Sequence, residues 1–378
     1  MKKILFLVTG MTPQIITETA WALAFADDNP WIADEIHVLS TSDGLNQIKA
    51  RLLYEQDGQP AGFARFRQDY PVFENTIFDD GCLHEIVGHD GVPLTDLKTP
   101  TDNELAADLI CKKVREFTER DDVELHVSIA GGRKTMGFYA GYALSLYGRA
   151  NDGLSHVLVD ERFETARDFL HPTPDNFFVA DRDGKRHNAK DAHIWLARIP
   201  FVRMREAINP KHQLSKGDKF SEVVAKVNES FKELYLTINV DNQTINVNNR
   251  FDMKLSPREF AFLWWFADLR CQGKDGVIAP KIDSTAKHAS EADSEHLSKL
   301  TDEFKRYYNE FKDSREFCMD KKTFSAIKSL LNTSLAECLG VELAAKIDIV
   351  QDGRGSPFYL NLPANTIKIV DNFDKNIV

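Results

Sequence analysis

Two short turns that contain glycine carry the residues best suited to chemistry. One turn runs from Thr9 to Gln14, and the other runs from Ser128 to Thr135. In each, glycine lets the backbone approach a ligand closely, and the N–H groups at the start of the next helix face an anion. The two turns therefore predict a pocket for a phosphate group. The candidate ligand-binding residues are Thr9, Gly10, Met11, Gln14, Ser128, Gly131, Gly132 and Thr135.

The adjacent cations Arg133 and Lys134 make the second turn the more specific of the two. Two cations at a helix start oppose the helix macrodipole and lose stability there, so a partner anion would explain them. Plainer explanations stay open: a Gly-Gly turn is often only a tight connection, and Thr12 could simply cap its helix. Neither turn has the glycine spacing of a dinucleotide-binding or triphosphate-binding loop, which favours another phosphate ligand.

Other reactive side chains form weaker patterns. Cys82, His84 and His89 lie in a predicted loop that offers no fourth metal ligand at a suitable spacing. Arg182 and His187 are spaced as in some ribonuclease motifs, but they lie across a glycine turn and not on a helix. The sequence also lacks a Gly-x-Ser-x-Gly or His-Glu-x-x-His pattern. It therefore predicts no metal site and no cofactor.

The first 200 residues alternate between strand-like and helix-like patterns. Such alternation predicts an α/β fold with a Rossmann-like, doubly wound, mostly parallel sheet. Ligands bind such sheets at the carboxyl ends of the strands, which is where both turns lie. The predicted strands are Ile4–Thr9, Glu35–Thr41, Val123–Ile129 and Ser155–Val159, and the predicted helices are Thr12–Phe25, Ser42–Leu53, Leu105–Phe117 and one that follows Gly132.

The second half of the chain has a different pattern. Before it, the first predicted domain ends in a short β-rich annex that begins at about residue 173 and has apolar stretches at 177–179 and 192–196. A polar stretch at 209–217 marks the boundary between the two domains. Three helices and then a hairpin with a basic, glycine-rich tip is the order of a winged helix-turn-helix. The predicted domains are therefore 1–210 and 211–378. The elements of the second are a hairpin of Leu234–Val240 and Thr244–Val247, a helix capped by Ser256, helices Glu295–Phe311 and Lys321–Cys338, and strands Lys346–Val350 and Pro357–Leu362.

Composition narrows the class of protein. The 378 residues are 43% hydrophobic and carry a formal charge of −11, which fits two domains with their own cores and disfavours a surface that coats duplex nucleic acid. No apolar run approaches the roughly 20 residues of a membrane span, and no secretion-type segment is apparent, so we expect a cytoplasmic protein. Five scattered cysteines without a C-x-x-C pair argue against a disulfide framework.

Three separated motifs give the chain a family resemblance. The Thr9–Gln14 turn after an opening strand, the Ser128–Met136 turn and the Ile199–Arg203 stretch resemble the CRISPR-associated Rossmann-fold (CARF) proteins of type III systems. Among these, the group known as CRISPR ring nucleases is the most similar. The resemblance covers about the first 210 residues and leaves the second half uncovered.

The resemblance implies a homodimer whose two CARF domains form one pocket for a cyclic oligoadenylate, a second messenger of antiviral defence. A ring nuclease of this kind cuts the messenger without metal, because a ribose 2′-hydroxyl of the ligand attacks the adjacent phosphorus. Backbone N–H groups with Arg133 or Lys134 would stabilise the developing charge, and Thr9, Thr12 or Gln14 would orient the ribose. The candidate catalytic residues are Lys134, Arg133 and Thr12.

A sensor without catalysis is the alternative. In that case the pocket only binds the messenger, and the second domain acts, for example as a transcription regulator. Lys321, Lys322 and Lys328 of the predicted recognition helix and Arg354 of the hairpin tip would face DNA, but nearby acidic residues offset them. DNA is therefore the less favoured partner, and use of this domain for dimerisation is at least as well supported.

Overall fold

A computed structural model describes residues 1–26, 29–56, 58–166, 168–205, 219–286, 290–308 and 317–371. The chain divides into two compact units, Met1–Ser221 and Glu222–Val378. The boundary predicted at 209–217 lies outside the described residues.

The first unit alternates strands with helices. Its strands are β1 (Lys2–Val8), β2 (Glu35–Ser40), β3 (Leu83–Glu85), β4 (Val123–Ser128), β5 (Gly153–Val159), β6 (Phe178–Ala180), β7 (Arg186–Asn188) and β8 (Ile194–Arg198). Its helices are α1 (Gln14–Phe25), α2 (Ser42–Ile48), α3 (Gly62–Asp69), α4 (Pro100–Thr118), α5 (Lys134–Tyr147) and α6 (Glu161–Glu164).

Six of these strands form one sheet in the order β3-β2-β1-β4-β5-β8. The first five are parallel, and β8 pairs antiparallel with β5. The predicted doubly wound, mostly parallel sheet is thus confirmed. The strand order reverses between β1 and β4, because β2 lies on one side of β1 and β4 on the other, and this edge is the usual ligand position in such sheets.

Both faces of β1 are buried, which explains its unbroken apolar run. Leu5 and Leu7 belong to a core that includes Ile16 of α1. Ile4, Phe6 and Val8 belong to a second core that includes residues of α4 and α5. The sheet is therefore covered on both sides around the place where the strand order reverses.

Two local predictions for this unit were wrong. Thr12 does not cap α1: Pro13 occupies the N-cap position with φ −64° and ψ −28°, and no side chain caps the helix. Proline has no N–H to donate and its fixed φ suits a helix start, so Pro13 stands at the boundary and the helix begins at Gln14, two residues after the predicted start at Thr12. The stretch 192–196 was also placed wrongly, because it was predicted to belong to the annex. Ile194–Arg198 is instead the edge strand of the main sheet, and β6 and β7 form a separate hairpin.

The second unit is built on a smaller sheet. The strands β9 to β11 form antiparallel hairpins, β14 pairs parallel with β9, and β12 and β13 form a separate two-stranded hairpin. Its strands are β9 (Leu236–Asn239), β10 (Thr244–Val247), β11 (Phe251–Lys254), β12 (Ile349–Val350), β13 (Tyr359–Leu360) and β14 (Ile367–Val370). The helices are α7 (Phe220–Ser230), which spans the division between the units, α8 (Pro257–Cys271), α9 (Glu291–Tyr308), α10 (Lys321–Leu339) and α11 (Val341–Ala344).

Helix α8 is the centre of this unit's core. Ser256 caps this helix as predicted: it forms a capping box with Glu259, and Pro257 occupies the first turn. The aromatic residues of α8, including Phe262 and Trp265, are buried against α9 and α10. The order of three helices before a hairpin agrees with the pattern behind the winged-helix prediction, and that assignment stays a prediction. The predicted helix end at Phe311 lies outside the described residues.

Candidate functional site

The two glycine turns meet where the strand order reverses. A methyl group in place of the Gly10 hydrogen would lie 3.4 Å from the Gly132 Cα atom. At Gly131 it would lie 2.3 Å from Ile15 Cδ1 and 2.9 Å from Thr9 Oγ1, distances that a side chain cannot adopt without displacing its neighbours. Gly132 has a φ of +78°, which favours glycine. Gly131 and Gly132 are therefore required for the two turns to pack together, whereas a methyl group at Gly10 would make an ordinary contact.

The first turn has both buried and exposed side chains. Thr9 is fully buried, its carbonyl oxygen accepts a hydrogen bond from Ser40 Oγ at 2.6 Å, and its own hydroxyl has no partner. Gln14 is buried and donates from Nε2 to the Glu164 carbonyl oxygen at 3.3 Å. Met11 and Thr12 are the two candidate side chains of this turn that are exposed.

The second turn displays charge at the surface. Ser128 is buried below it, with its Oγ atom 3.4 Å from Thr19 Oγ1. Arg133 and Lys134 are exposed, and no side chain caps the start of α5. The backbone N–H groups of this helix start and the two side chains can together stabilise negative charge on a phosphate.

Arg133 already has an anionic partner within the chain. Its Nε atom donates to Asp96 Oδ1 at 3.1 Å, and its Nη2 atom donates to Asp96 Oδ2. The hydrogen bonds from the guanidinium are the main cause that holds the pKa of the Asp96 carboxyl below its usual value. Lys134 has no ion pair within the described parts of the chain. For Arg133, an anion that would explain a cation at this helix start is therefore present in the chain itself, as Asp96.

Thr135 is also held by a residue that the sequence pattern missed. Its hydroxyl donates to Asn103 Oδ1 at 2.7 Å, and the Asn103 amide donates to the Thr99 carbonyl oxygen at 3.0 Å. Thr99 and Asp102 form a capping box at the start of α4. The capping box is visible in the sequence, but its position beside the second turn follows only from the three-dimensional packing.

A buried acid lies one turn into α1. Glu18 is 2% exposed, and its Oε1 atom has no hydrogen-bond partner. Burial raises its pKa to about 8, and the nearby Glu164 carboxylate contributes in the same direction. Glu18 is therefore largely neutral at pH 7, which a strand-and-helix pattern could not predict.

The metal candidates do not come together in space. His84 Nε2 lies 3.1 Å from His37 Nδ1, and burial lowers the pKa of His84 to about 4. His187 is paired with Asp181 in the β6–β7 hairpin. Within the described residues, no group of three or more His, Cys, Asp or Glu side chains could hold a metal ion.

The model of the family described as CRISPR-associated protein NE0113 matches residues 12–233. A search of curated proteins finds no match. Among solved structures, Enterococcus italicus Csm6 bound to cyclic hexa-2′-fluoro-hexa-dAMP is 13% identical and covers 93% of this chain and 89% of that chain, with a TM-score of 0.27. A TM-score this low carries no argument about the present chain.

Proposed function

Because the chain belongs to the CRISPR-associated protein NE0113 family, we propose that it binds a cyclic oligoadenylate and cleaves it as a ring nuclease. Membership of this family confirms the CRISPR-associated assignment that the turn motifs indicated. We take cyclic tetra-adenylate as the ligand and the cytoplasm as the location. Among the described residues, none of the α-helices combines the length and the apolar composition of a membrane span.

The observation that carries the proposal is the exposed start of α5. Lys134 stands there beside the close contact of Gly10 with Gly132, and no side chain caps the helix. These features suit the binding of a phosphodiester: a cation, free N–H groups at a helix start, and glycines that let a ligand approach the backbone. Exposed Thr12 lies on the neighbouring turn, where its hydroxyl would orient a ribose.

The cleavage needs no residue that is covalently modified. The ribose 2′-oxygen attacks the adjacent phosphorus, the bond from phosphorus to the 5′-oxygen breaks, and the 2′-hydroxyl proton passes through water to the 5′-oxygen. The products carry a 2′,3′-cyclic phosphate and a 5′-hydroxyl. The second turn would stabilise the charge that develops on the phosphate, since it carries Lys134, Arg133 and the N–H groups of Gly131 and Gly132. Alignment of the attacking 2′-oxygen with the leaving 5′-oxygen supplies the rest of the rate acceleration.

Incubation of excess protein with cyclic tetra-adenylate in EDTA tests this proposal. We expect linear products with 2′,3′-cyclic phosphate ends, identified by mass spectrometry. Intact ligand after long incubation, together with measurable binding, would overturn the nuclease activity and leave the sensor. Absence of binding would overturn both.

We further propose a homodimer formed through the face of the sheet next to α5. Leu158 and Trp195 are a cross-strand pair of β5 and β8 and are 49% and 51% exposed. Leu154 belongs to the core that includes α5, and alternate residues of a strand share a face, so this exposed pair lies on the α5 side.

Helix α5 also carries exposed aromatic side chains, and they lie close to the site. Phe138 is 67% exposed and Tyr142 is 40% exposed, and their rings stack with an interplanar angle of 8°. Phe138 lies one helical turn after Lys134 on the same side of the helix. A second copy of this chain on this face would bring two Lys134 turns together around one two-fold ligand.

Light scattering tests the dimer. We expect the wild-type protein to have the mass of two chains and Phe138→Glu to have the mass of one, with loss of ligand binding. Leu330→Glu, at a 58% exposed leucine of the second unit, is the matched control and should remain dimeric. A monomeric wild-type protein, or a dimeric Phe138→Glu variant, contradicts the proposed face.

A ligand-controlled regulator is the second candidate, and α10 followed by the β12–β13 hairpin is what favours it. Lys321 and Lys322 are exposed at the start of α10, and Arg354 is exposed at the hairpin tip. Lys328, however, lies 3.9 Å from Asp348, which offsets part of the charge available to DNA. A gel shift on the promoter of the protein's own locus at low salt, with and without cyclic tetra-adenylate, decides: no shift ends this candidate.

A further inference from the structure

Two residues distant in sequence, one in the loop before α4 and one in the first turn of α4, hold the second turn on either side of Lys134. Asp96 accepts two hydrogen bonds from Arg133, and Asn103 accepts one from Thr135. These contacts flank Lys134, which lies between the two held residues. The pairs connect residues 37 and 32 positions apart, so they are tertiary contacts and do not arise from the local turn.

Both partners are themselves fixed. Asp96 Oδ1 accepts the Leu97 N–H at 2.8 Å, and the Asn103 amide donates to the backbone at the capped start of α4. Because the Asp96 carboxylate and the Asn103 amide are themselves hydrogen-bonded, they restrict the backbone of the second turn more than two free surface side chains could.

The Arg133 guanidinium uses its Nε–Nη2 edge on Asp96. That edge is one of those with which an arginine binds a phosphate through two parallel hydrogen bonds. The Asp96 carboxylate therefore occupies the place of a phosphate, and Lys134 alone keeps its positive charge uncompensated by a described neighbour.

We propose that Asp96 and Asn103 are positioning residues, that Arg133 is a tether bound to Asp96, and that Lys134 is the cation of the turn that meets the ligand phosphate. This inference rests on the proposed function and assigns different roles to Arg133 and Lys134. Arg133 then affects cleavage only through the position of the turn.

A double-mutant cycle of Asp96→Asn and Arg133→Met tests the tether in the full-length protein. We expect each variant to lower the single-turnover rate of cyclic tetra-adenylate cleavage about tenfold, with less than about threefold change in Kd, because positioning acts on the rate more than on binding. The double variant should be no slower than either single one. Asp96→Glu, which keeps the carboxylate, should recover most of the rate.

Arg120 and Asp122 provide a matched control. They form an exposed ion pair of similar geometry just before β4, at the opposite end of that strand from the turn. Arg120→Met and Asp122→Asn should leave the cleavage rate unchanged. Unequal effects at residues 96 and 133, additive losses in the double variant, or tighter ligand binding by Asp96→Asn would overturn the tether and assign Arg133 to the phosphate.

Hydrogen exchange of the amides from Gly131 to Met136 needs no ligand and separates the two proposals. We expect equally faster exchange in Asp96→Asn and Arg133→Met, and no change in the control pair. If the wild-type protein neither binds nor cleaves cyclic tetra-adenylate, the proposed function fails. The tether is then judged on exchange alone, and unchanged or unequal rates overturn it.

Discussion

The two turns at the centre of the sheet occupy equivalent positions but are built differently. The β1–α1 turn is followed by a helix whose first polar residues are all buried, namely Gln14, Thr17, Glu18 and Thr19. The β4–α5 turn is followed by a helix that begins with exposed Lys134 and Thr135. The first turn therefore supplies backbone and packing, whereas the second supplies charge.

This difference teaches how two neighbouring turns can supply a rigid backbone on one side and surface charge on the other. Polar groups that are buried below the first turn are costly unless they are hydrogen-bonded, and Gln14 and Thr17 are bonded to the segment that follows β5. Charged groups cost little at the surface, where water solvates them. The cations thus stand on the turn that is exposed.

The largest loss of stability in this comparison is expected at Gly131. In Gly131→Ala the new methyl group would overlap Ile15 Cδ1 and press on the buried Thr9 hydroxyl. We expect a loss of about 2 kcal/mol in the free energy of unfolding, typical of overpacking, and loss of cleavage. Urea unfolding measures it, with Gly353→Ala as control because nothing lies within 4 Å of that site. An unchanged free energy would show that the turns do not pack as described.

The next effect concerns the acid below the first turn. Glu18 has a pKa of about 8 in the folded protein and an ordinary value near 4.5 when unfolded, so the folded state binds more protons between these values. The stability of the wild-type protein should therefore fall as pH rises from about 4.5 to 8. Glu18→Gln removes this pH dependence, so we expect the free energy of unfolding of the variant, relative to wild type, to rise by roughly 3 kcal/mol between pH 5 and pH 8.

Urea unfolding at the two pH values measures the Glu18 effect. Glu161→Gln, at an exposed acid of α6, should match wild type at both pH values. A stability difference between Glu18→Gln and wild type that does not rise between pH 5 and pH 8 would mean that the buried Glu18 carboxyl is not protonated in the folded protein.

The smallest stability effect is expected at Gly10. In Gly10→Ala the methyl group would meet Gly132 Cα at 3.4 Å, an ordinary contact, so the free energy of unfolding should change by less than about 0.5 kcal/mol. We nevertheless expect several-fold weaker binding of cyclic tetra-adenylate, because the methyl group blocks the backbone approach. Unchanged binding, measured by fluorescence titration, would remove the first turn from the ligand site.

Much of the first unit is predictable from its sequence because apolar periodicity reports burial directly. The run Ile4–Val8 and the Gly131–Gly132 pair indicated a buried strand and a tight turn, and both are present. Asp96 could not be found this way, since its ion pair depends on how a loop packs across the sheet edge. The same holds for Ile194–Arg198, whose pairing with β5 is set by a neighbour distant in sequence.

The second unit shows the same limit. Ser256 and Glu259 are three residues apart, so their capping box is readable from the sequence alone. The pairing of β14 with β9 joins segments more than 100 residues apart and leaves no local pattern. Local signals thus predict where elements begin, whereas the partners of edge strands require the folded chain.

Single-turnover cleavage of cyclic tetra-adenylate by wild type and Lys134→Ala, in EDTA and with protein in excess, tests the central claim most directly. We expect the variant to melt at the wild-type temperature, because Lys134 is exposed, and to cleave about a hundredfold more slowly. Lys190→Ala, at an exposed lysine beside the β6–β7 hairpin, serves as control and should cleave at the wild-type rate. Equal rates in wild type and Lys134→Ala would contradict the account.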